Sequence, residues 1–217
     1  MTRTIAFYGD EPRIGKTTAV ANLAILLARS GQRTCIAHLD PGWPLAKAFN
    51  VPAESGYVED VRPRLDLALW SDGEAPFHAA VESLNADILL VDAPPECGDL
   101  SRSILQVADD VIFVARATSE GVSSVARDVG VVTELMRVGH ELHVRGLLLT
   151  MADPSLNSFE RFLVQVERAF PVEVFPYGVP RPERGTEEVE LVVESAVTGR
   201  RARAYVELAM EVMQDAG

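Results

Sequence analysis

Cysteine is nearly absent: Cys35 and Cys97 are the only two in 217 residues. Two cannot build a disulfide framework. Each sits beside an apolar segment, so both read as reduced, buried thiols of a cytoplasmic, bacterial-type protein; a disulfide or a metal site is the alternative. No run of about 18 apolar residues occurs, so no membrane-spanning helix is expected. The opening Met1–Tyr8 meets Gly9 and Asp10 too early for a signal peptide. Basic charge is also scarce. Twenty Lys and Arg against 32 Asp and Glu give a formal charge of −12, which excludes a wholly basic nucleic-acid surface and leaves room only for a local patch. Internal repeats, low-complexity tracts and evident linkers are missing as well. What the chain has is 47% hydrophobic and 24% charged residues, the profile of a protein that buries a real core. Residues 1–217 are read as one domain.

Short apolar runs alternate with helical patterns. Ile5–Tyr8, Thr34–Leu39, Leu65–Trp70, Ile88–Val91, Val111–Ala115 and Val144–Leu149 read as strands, with a short last one over Val172–Phe175. Helices are expected over Thr17–Ser30, Ser119–Val138, Phe159–Phe170, Glu187–Val197 and Ala202–Gln214. Strands that are apolar without alternation are buried on both faces. The expected fold is therefore α/β, a doubly wound, predominantly parallel sheet of about seven strands flanked by helices. Pro41–Tyr57 reads as a loop with a short helix, and Val179–Glu188 as an exposed connection.

The sharpest motif is Gly9-Asp10-Glu11-Pro12-Arg13-Ile14-Gly15-Lys16-Thr17-Thr18, between a strand and a helix. That is the setting a phosphate-binding loop requires. Its N–H groups and the helix start face a phosphate, Lys16 adds a point charge, and the Thr17 hydroxyl is a Mg²⁺ ligand type. The pattern GxxxxGK[ST] asks for glycine at position 10, where this chain has Asp10, so the match is partial. The competing reading is an ordinary β-α turn with a lysine at a helix start. Two further strands end in carboxylates, His38-Leu39-Asp40-Pro41 and Val91-Asp92-Ala93-Pro94-Pro95. Carboxyl ends of parallel strands lie beside the phosphate crevice. Asp92 is then placed to hold the Mg²⁺ shell, and Asp40 to orient an attacking water; alternatively both merely begin loops.

Gly15-Lys16-Thr17-Thr18…Asn22-Leu23-Ala24, Leu39-Asp40-Pro41, Val91-Asp92-Ala93-Pro94-Pro95 and Ala108–Val114 together resemble the ParA/MinD family of deviant Walker A ATPases, over nearly the whole chain. The resemblance implies ATP/ADP and Mg²⁺ as cofactors and slow hydrolysis. It also implies an ATP-dependent sandwich homodimer, and a task in positioning DNA or large protein assemblies through a protein partner or activator. Carried over by motif, Gly9, Arg13, Ile14, Gly15, Lys16, Thr17 and Thr18 form the nucleotide loop. Lys16, Asp40 and Asp92 are the catalytic set, and Thr17, Asp40 and Asp92 the metal set. Adenine contacts fall at Thr150, where many relatives have asparagine, and around Pro180.

The departures are specific. Glu11 stands at the family's second lysine, the one that reaches the partner's phosphates; Pro12 and Arg13 replace two glycines, and His38 replaces the first aspartate of D-x-D. Arg13 is the expected substitute cation, since its fork suits phosphate. These changes leave a pseudo-ATPase scaffold as the alternative. Pro12 and the Asp92–Pro95 run also resemble bacterial tyrosine kinases, but a terminal tyrosine cluster is missing; the loop spacing resembles dethiobiotin synthetase less well. Arg200, Arg201 and Arg203, with Arg181 and Arg184 upstream, form a basic cluster. It is a candidate for non-specific DNA contact or simply a balance for neighbouring glutamates. The acidic tail Val206–Asp215 argues against a membrane-binding helix. His78, His140 and His143 show no metal-cage spacing. Trp43 is expected near Asp40.

Overall fold

A computed structural model describes residues 2–9, 11–39, 42–70, 77, 81, 84–95, 99–137, 139–153, 157–169, 172–182, 188–195 and 198–214. Asp10, Asp40, His78, Cys97 and Arg184 lie outside the described residues. The strands are β1 (Arg3–Tyr8), β2 (Thr34–His38), β3 (Gly56–Arg62), β4 (Leu65–Leu69), β5 (Ile88–Asp92), β6 (Asp110–Arg116), β7 (His143–Ala152) and β8 (Val174–Pro180). The described helices are α1 (Lys16–Arg29), α2 (Pro44–Phe49), α3 (Asp99–Val107), α4 (Ser119–Arg137), α5 (Asn157–Ala169), α6 (Val192–Ser195) and α7 (Arg200–Gln214).

The sheet runs β3-β4-β2-β5-β1-β6-β7-β8. All pairings are parallel except β3 with β4. Strands β2, β4 and β5 are buried at every position, because helices cover both faces. On one face α1, α2, α6 and α7 pack on Ile5, Phe7, Ile36 and Leu90. On the other, α3, α4 and α5 pack on Ala6, Tyr8, Val91 and Phe113. The alternation along β1 sends neighbours to opposite cores, as a strand's two-residue period requires.

The antiparallel edge strand β3 departs from expectation. Its residues Gly56–Arg62 are mostly exposed and carry three charges, so they lack the apolar signal of a central strand. Asp66 of β4 holds β3 in place: its carboxylate accepts the Tyr57 hydroxyl at 2.5 Å and the Asp60 N–H at 2.8 Å. Two ranges also shift. The last strand runs over Val174–Pro180, past Phe175. Of the helix expected over Glu187–Val197, the described residues are helical only at Val192–Ser195, and 188–191 is non-helical. Cys35 is a buried thiol, as expected, and burial next to the Asp66 carboxylate pushes it up to about 12.

At the opposite end of the sheet from the strand carboxyl ends, Asp110 ties four elements together. It accepts Arg3 Nε at 2.6 Å, Arg145 Nε at 3.0 Å and lies 3.2 Å from His143 Nδ1. The same two arginines donate to the Val212 and Glu211 carbonyls, where cations meet the negative end of α7. Tyr205, Leu208, Ala209 and Val212 of α7 are buried in the core shared with α1. The tail helix therefore packs inward, and no described helix is long and apolar enough to cross a membrane.

Candidate functional site

The strand order reverses at β1, whose neighbours β5 and β6 lie on opposite sides. Open parallel sheets place their ligand crevice at such a switch point, beyond the carboxyl ends of the strands. The loop leaving β1 is shaped by close approach. A Cβ on Gly9 would lie 2.5 Å from the Val114 carbonyl oxygen, so only glycine fits against β6. Gly9 thus serves packing, and its carbonyl accepts the Lys16 ammonium at 3.1 Å. Arg13 and Gly15 have φ of 58° and 82°, which turns the loop back toward α1.

Gly15 caps α1 without any side-chain hydrogen bond, and no acid lies in the first turn. The first-turn N–H groups of a helix have no partner within it, and they carry its positive end. Lys16 is buried beside them. A second arginine supports the loop from below. Arg116, at the end of β6, donates to the carbonyls of Arg13 at 3.3 Å and Pro12 at 3.4 Å, and its Nε lies 4.0 Å from the Glu11 carboxylate. The negative charge at the family's lysine position is therefore partly offset within the same chain.

Asp92, the last residue of β5, pairs in register with Phe7 and His38. Its Oδ2 accepts the Thr17 hydroxyl at 2.7 Å and lies 2.8 Å from His38 Nδ1. A carboxylate only accepts, so Nδ1 carries the proton. The side chains of His38 and Asp92 are 0% and 2% exposed. Burial works to raise the Asp92 carboxyl. The His38 hydrogen bond and charge, the Lys16 ammonium and the Thr17 hydroxyl outweigh it and hold Asp92 below the ordinary carboxylate range. Trp43 packs edge-on to His38, with ring centroids 6.4 Å apart.

Asp92 Oδ1 is buried with no hydrogen-bond partner among the described residues. An orphaned carboxylate oxygen beside a threonine hydroxyl at a phosphate loop suits a hard, oxygen-seeking divalent cation. Among the described residues no cluster of three His, Cys, Asp or Glu side chains forms a cage, and Asp40, the third residue of the expected metal set, lies outside them; Mg²⁺ habitually completes its shell with phosphate and water.

Arg13, Ile14, Gly15, Lys16, Thr17, Thr18, Asp92, Thr150 and Pro180 all line one cleft of about 400 Å³. Of the residues expected there, Gly9 stands behind the wall and Asp40 lies outside the described residues. Thr150 lines the cleft as expected and also has a structural task. Its hydroxyl is 2.5 Å from the Ile14 carbonyl and 3.0 Å from that of Ala115, so its single hydrogen is spent anchoring the loop and toward a base it could only accept. Arg201 departs from expectation. It lines the cleft and bonds the Glu190 carboxylate, which leaves Arg181, Arg200 and Arg203 as the exposed members of the basic cluster among the described residues. Arg116 was missed because the carbonyls it holds lie 103 and 104 residues earlier in the chain; Glu190 and Tyr205 were not expected at the cleft, and Arg201 was expected only in the basic cluster, because the fold and not a motif brings them there. Asp110 beside His143, and the Leu105 carbonyl 2.7 Å from His140, account for those two imidazoles.

Comparison with known proteins agrees with this geometry. Residues 7–190 match the CobQ/CobB/MinD/ParA nucleotide binding domain (CbiA). The chromosome-partitioning ATPase Soj of Thermus thermophilus is 29% identical, over 97% of this chain and 95% of its own. Among solved structures, a variant of Cyanothece McdA in complex with ATP superposes with a TM-score of 0.81 at 17% identity, over 97% of this chain and 96% of that one. The MinD protein of Pyrococcus horikoshii complexed with Mg-ADP gives 0.77 at 20% identity, over 100% and 98%. With the family's domain matched across the sheet, the phosphate loop and the cleft, the chain belongs to the CobQ/CobB/MinD/ParA nucleotide-binding family.

Proposed function

We propose that this chain is a ParA-like, Mg²⁺-dependent ATP-binding protein that hydrolyses ATP slowly and serves to position or partition DNA or a protein assembly in the bacterial cytoplasm. The observation that carries the reading is the convergence of Lys16, Thr17 and an Asp92 with one unpartnered oxygen at the mouth of a capped, acid-free helix start. The likeness to Soj over nearly the full length supports the positioning role.

The loop N–H groups and Lys16 would bind the phosphates, and Thr17 with Asp92 would hold Mg²⁺. That ion, when bound, neutralises charge developing between the phosphates. Asp92 keeps the Thr17 proton turned toward itself, which leaves the hydroxyl's lone pairs facing outward. Asp40 is proposed to orient the attacking water. The whole chain 1–217 acts as one domain in this reading. Two copies close face to face on ATP, and Arg13 takes the place of the missing trans lysine: Glu11 and Arg13 both line the cleft, but only Arg13 carries the positive charge, and the Glu11 carboxylate faces Arg116. Any DNA contact would fall to Arg200 and Arg203, since Arg201 is committed to Glu190.

A second reading, a binding scaffold without turnover, is favoured by Glu11 and by Pro12, which removes an N–H from the loop. Phosphate release by wild type and Asp40→Ala separates the two: slow release lost in the variant supports the ATPase, and equal rates refute it. Light scattering with ATP in the Asp40→Ala background tests the dimer, which Arg13→Ala should abolish.

A further inference from the structure

Asn22 has no part in the chemistry above, yet it is completely buried on α1. Its Nδ2 donates to the Thr18 carbonyl and to the Glu190 carbonyl, both at 2.8 Å, and its Oδ1 accepts the Val193 N–H at 3.1 Å. Two carbonyls and one N–H face a single amide, so its orientation is set by its partners. Arg29, exposed at the other end of α1, donates to the Val193 carbonyl at 2.7 Å. Residues 188–193 are thereby strapped along α1. Glu188, Val189 and Glu190 of that strap line the same cleft as Thr18. Met151, Val179, Pro180 and Pro182 add an apolar part to this wall, beside Tyr205 and the Arg201–Glu190 pair, a mix of apolar surface and a few polar groups that suits a flat base and ribose more than a phosphate.

We infer that Asn22 is a positioning residue for nucleotide affinity: its amide joins the phosphate-loop helix to strap 188–193 and so fixes the wall that receives the base and ribose. This rests on the nucleotide reading above. The chemistry is specific to an amide. Aspartate lacks both donors and would set a buried charge against two carbonyls. Alanine would leave the Glu190 carbonyl and Val193 N–H without their bonds. A loosened strap must be ordered when the ligand binds, which lowers affinity. The phosphate end, Gly15 at the cap and Lys16 to Thr18 in the first turn of α1, meets Asn22 only at the Thr18 carbonyl, which the helix's own i to i+4 bonding also serves, so it keeps its geometry.

The test compares calorimetric titrations of Mg·ATP and Mg·tripolyphosphate, a probe with the phosphates but no base. Wild type, Asn22→Ala and Arg29→Ala are used, with folding checked by circular dichroism. ATP affinity should fall about tenfold or more in Asn22→Ala and by a smaller factor in Arg29→Ala, while tripolyphosphate affinity stays at the wild-type value in both. Arg29→Ala, at the surface, decides the matter where Asn22→Ala does not fold. Equal losses for the two ligands, or unchanged ATP affinity, would overturn the inference. Wild type that binds neither ligand would overturn the nucleotide reading, and this inference with it.

Discussion

Replacing His38 by leucine removes one hydrogen bond, from Nδ1–H to Asp92 Oδ2 at 2.8 Å. Both partners are essentially buried, so water does not replace the lost donor. A hydrogen bond to a charged group is worth about 1.5–3 kcal/mol. For a chain of this size each kcal/mol moves Tm by roughly 2–4 °C, so His38→Leu should melt roughly 3–12 °C lower at neutral pH. The sign of the pH dependence follows from Asp92. Its native carboxyl lies below the ordinary range, so the pair's contribution is present above that range and is lost as pH falls through the native value. In the leucine variant, burial acts with less opposition and the carboxyl takes up its proton sooner, so the gap to wild type should narrow below about pH 4. His38→Asn, which can offer an N–H near the position of Nδ1, should recover much of the stability. It should also recover the Mg²⁺-dependent gain in ATP affinity that His38→Leu loses. Scanning calorimetry across pH, with nucleotide titrations in Mg²⁺ and in chelator, reads all of this. Leucine with wild-type Tm and wild-type Mg²⁺ dependence would refute the role given to His38.

Asp110→Asn should cost about 3–5 kcal/mol, because it leaves the buried Arg145 and its neighbour Arg3 without their counter-charge; chemical denaturation measures it. Cys35, with its thiol pushed up to about 12, should resist alkylation at pH 8 in a Cys97→Ser background and react at once on unfolding. Between the ordinary thiol value of 9.0 and about 12 an unfolded Cys35 loses its proton while the native one keeps it, so this residue lowers stability as pH rises there.

The central strands were legible in the sequence because burial on both faces leaves an unbroken apolar run, as in Ile88–Val91. Strand β3 was not, since one pairing edge and an exposed face let Glu59 and Asp60 stay in water, while Arg62 is held by Glu194 and the Phe49 ring, partners far off in the chain. The glutamate-and-valine run after residue 187 carries a helical pattern, but Asn22 and Arg29 hold its described backbone along α1. At the site, the loop, Lys16, Thr17 and Asp92 were readable from spacing. His38 showed only as a departure from D-x-D; its role as donor depends on the β2–β5 register that sets it opposite Asp92. Thr150 matched a base-contact position by motif, yet its hydroxyl serves the Ile14 carbonyl. Arg116 carried no local signal, because the carbonyls it holds lie 103 and 104 residues earlier in the chain.

Calorimetric titration of ATP with Mg²⁺ into wild type and Lys16→Ala tests the central claim most directly. Lys16 is the only lysine in the loop, and its ammonium is buried against Gly9 at the start of α1. The account predicts saturable, single-site binding to wild type that weakens when Mg²⁺ is chelated, and no measurable binding to Lys16→Ala. Equal affinity in the two proteins, or a folded wild type that does not bind ATP, would contradict it.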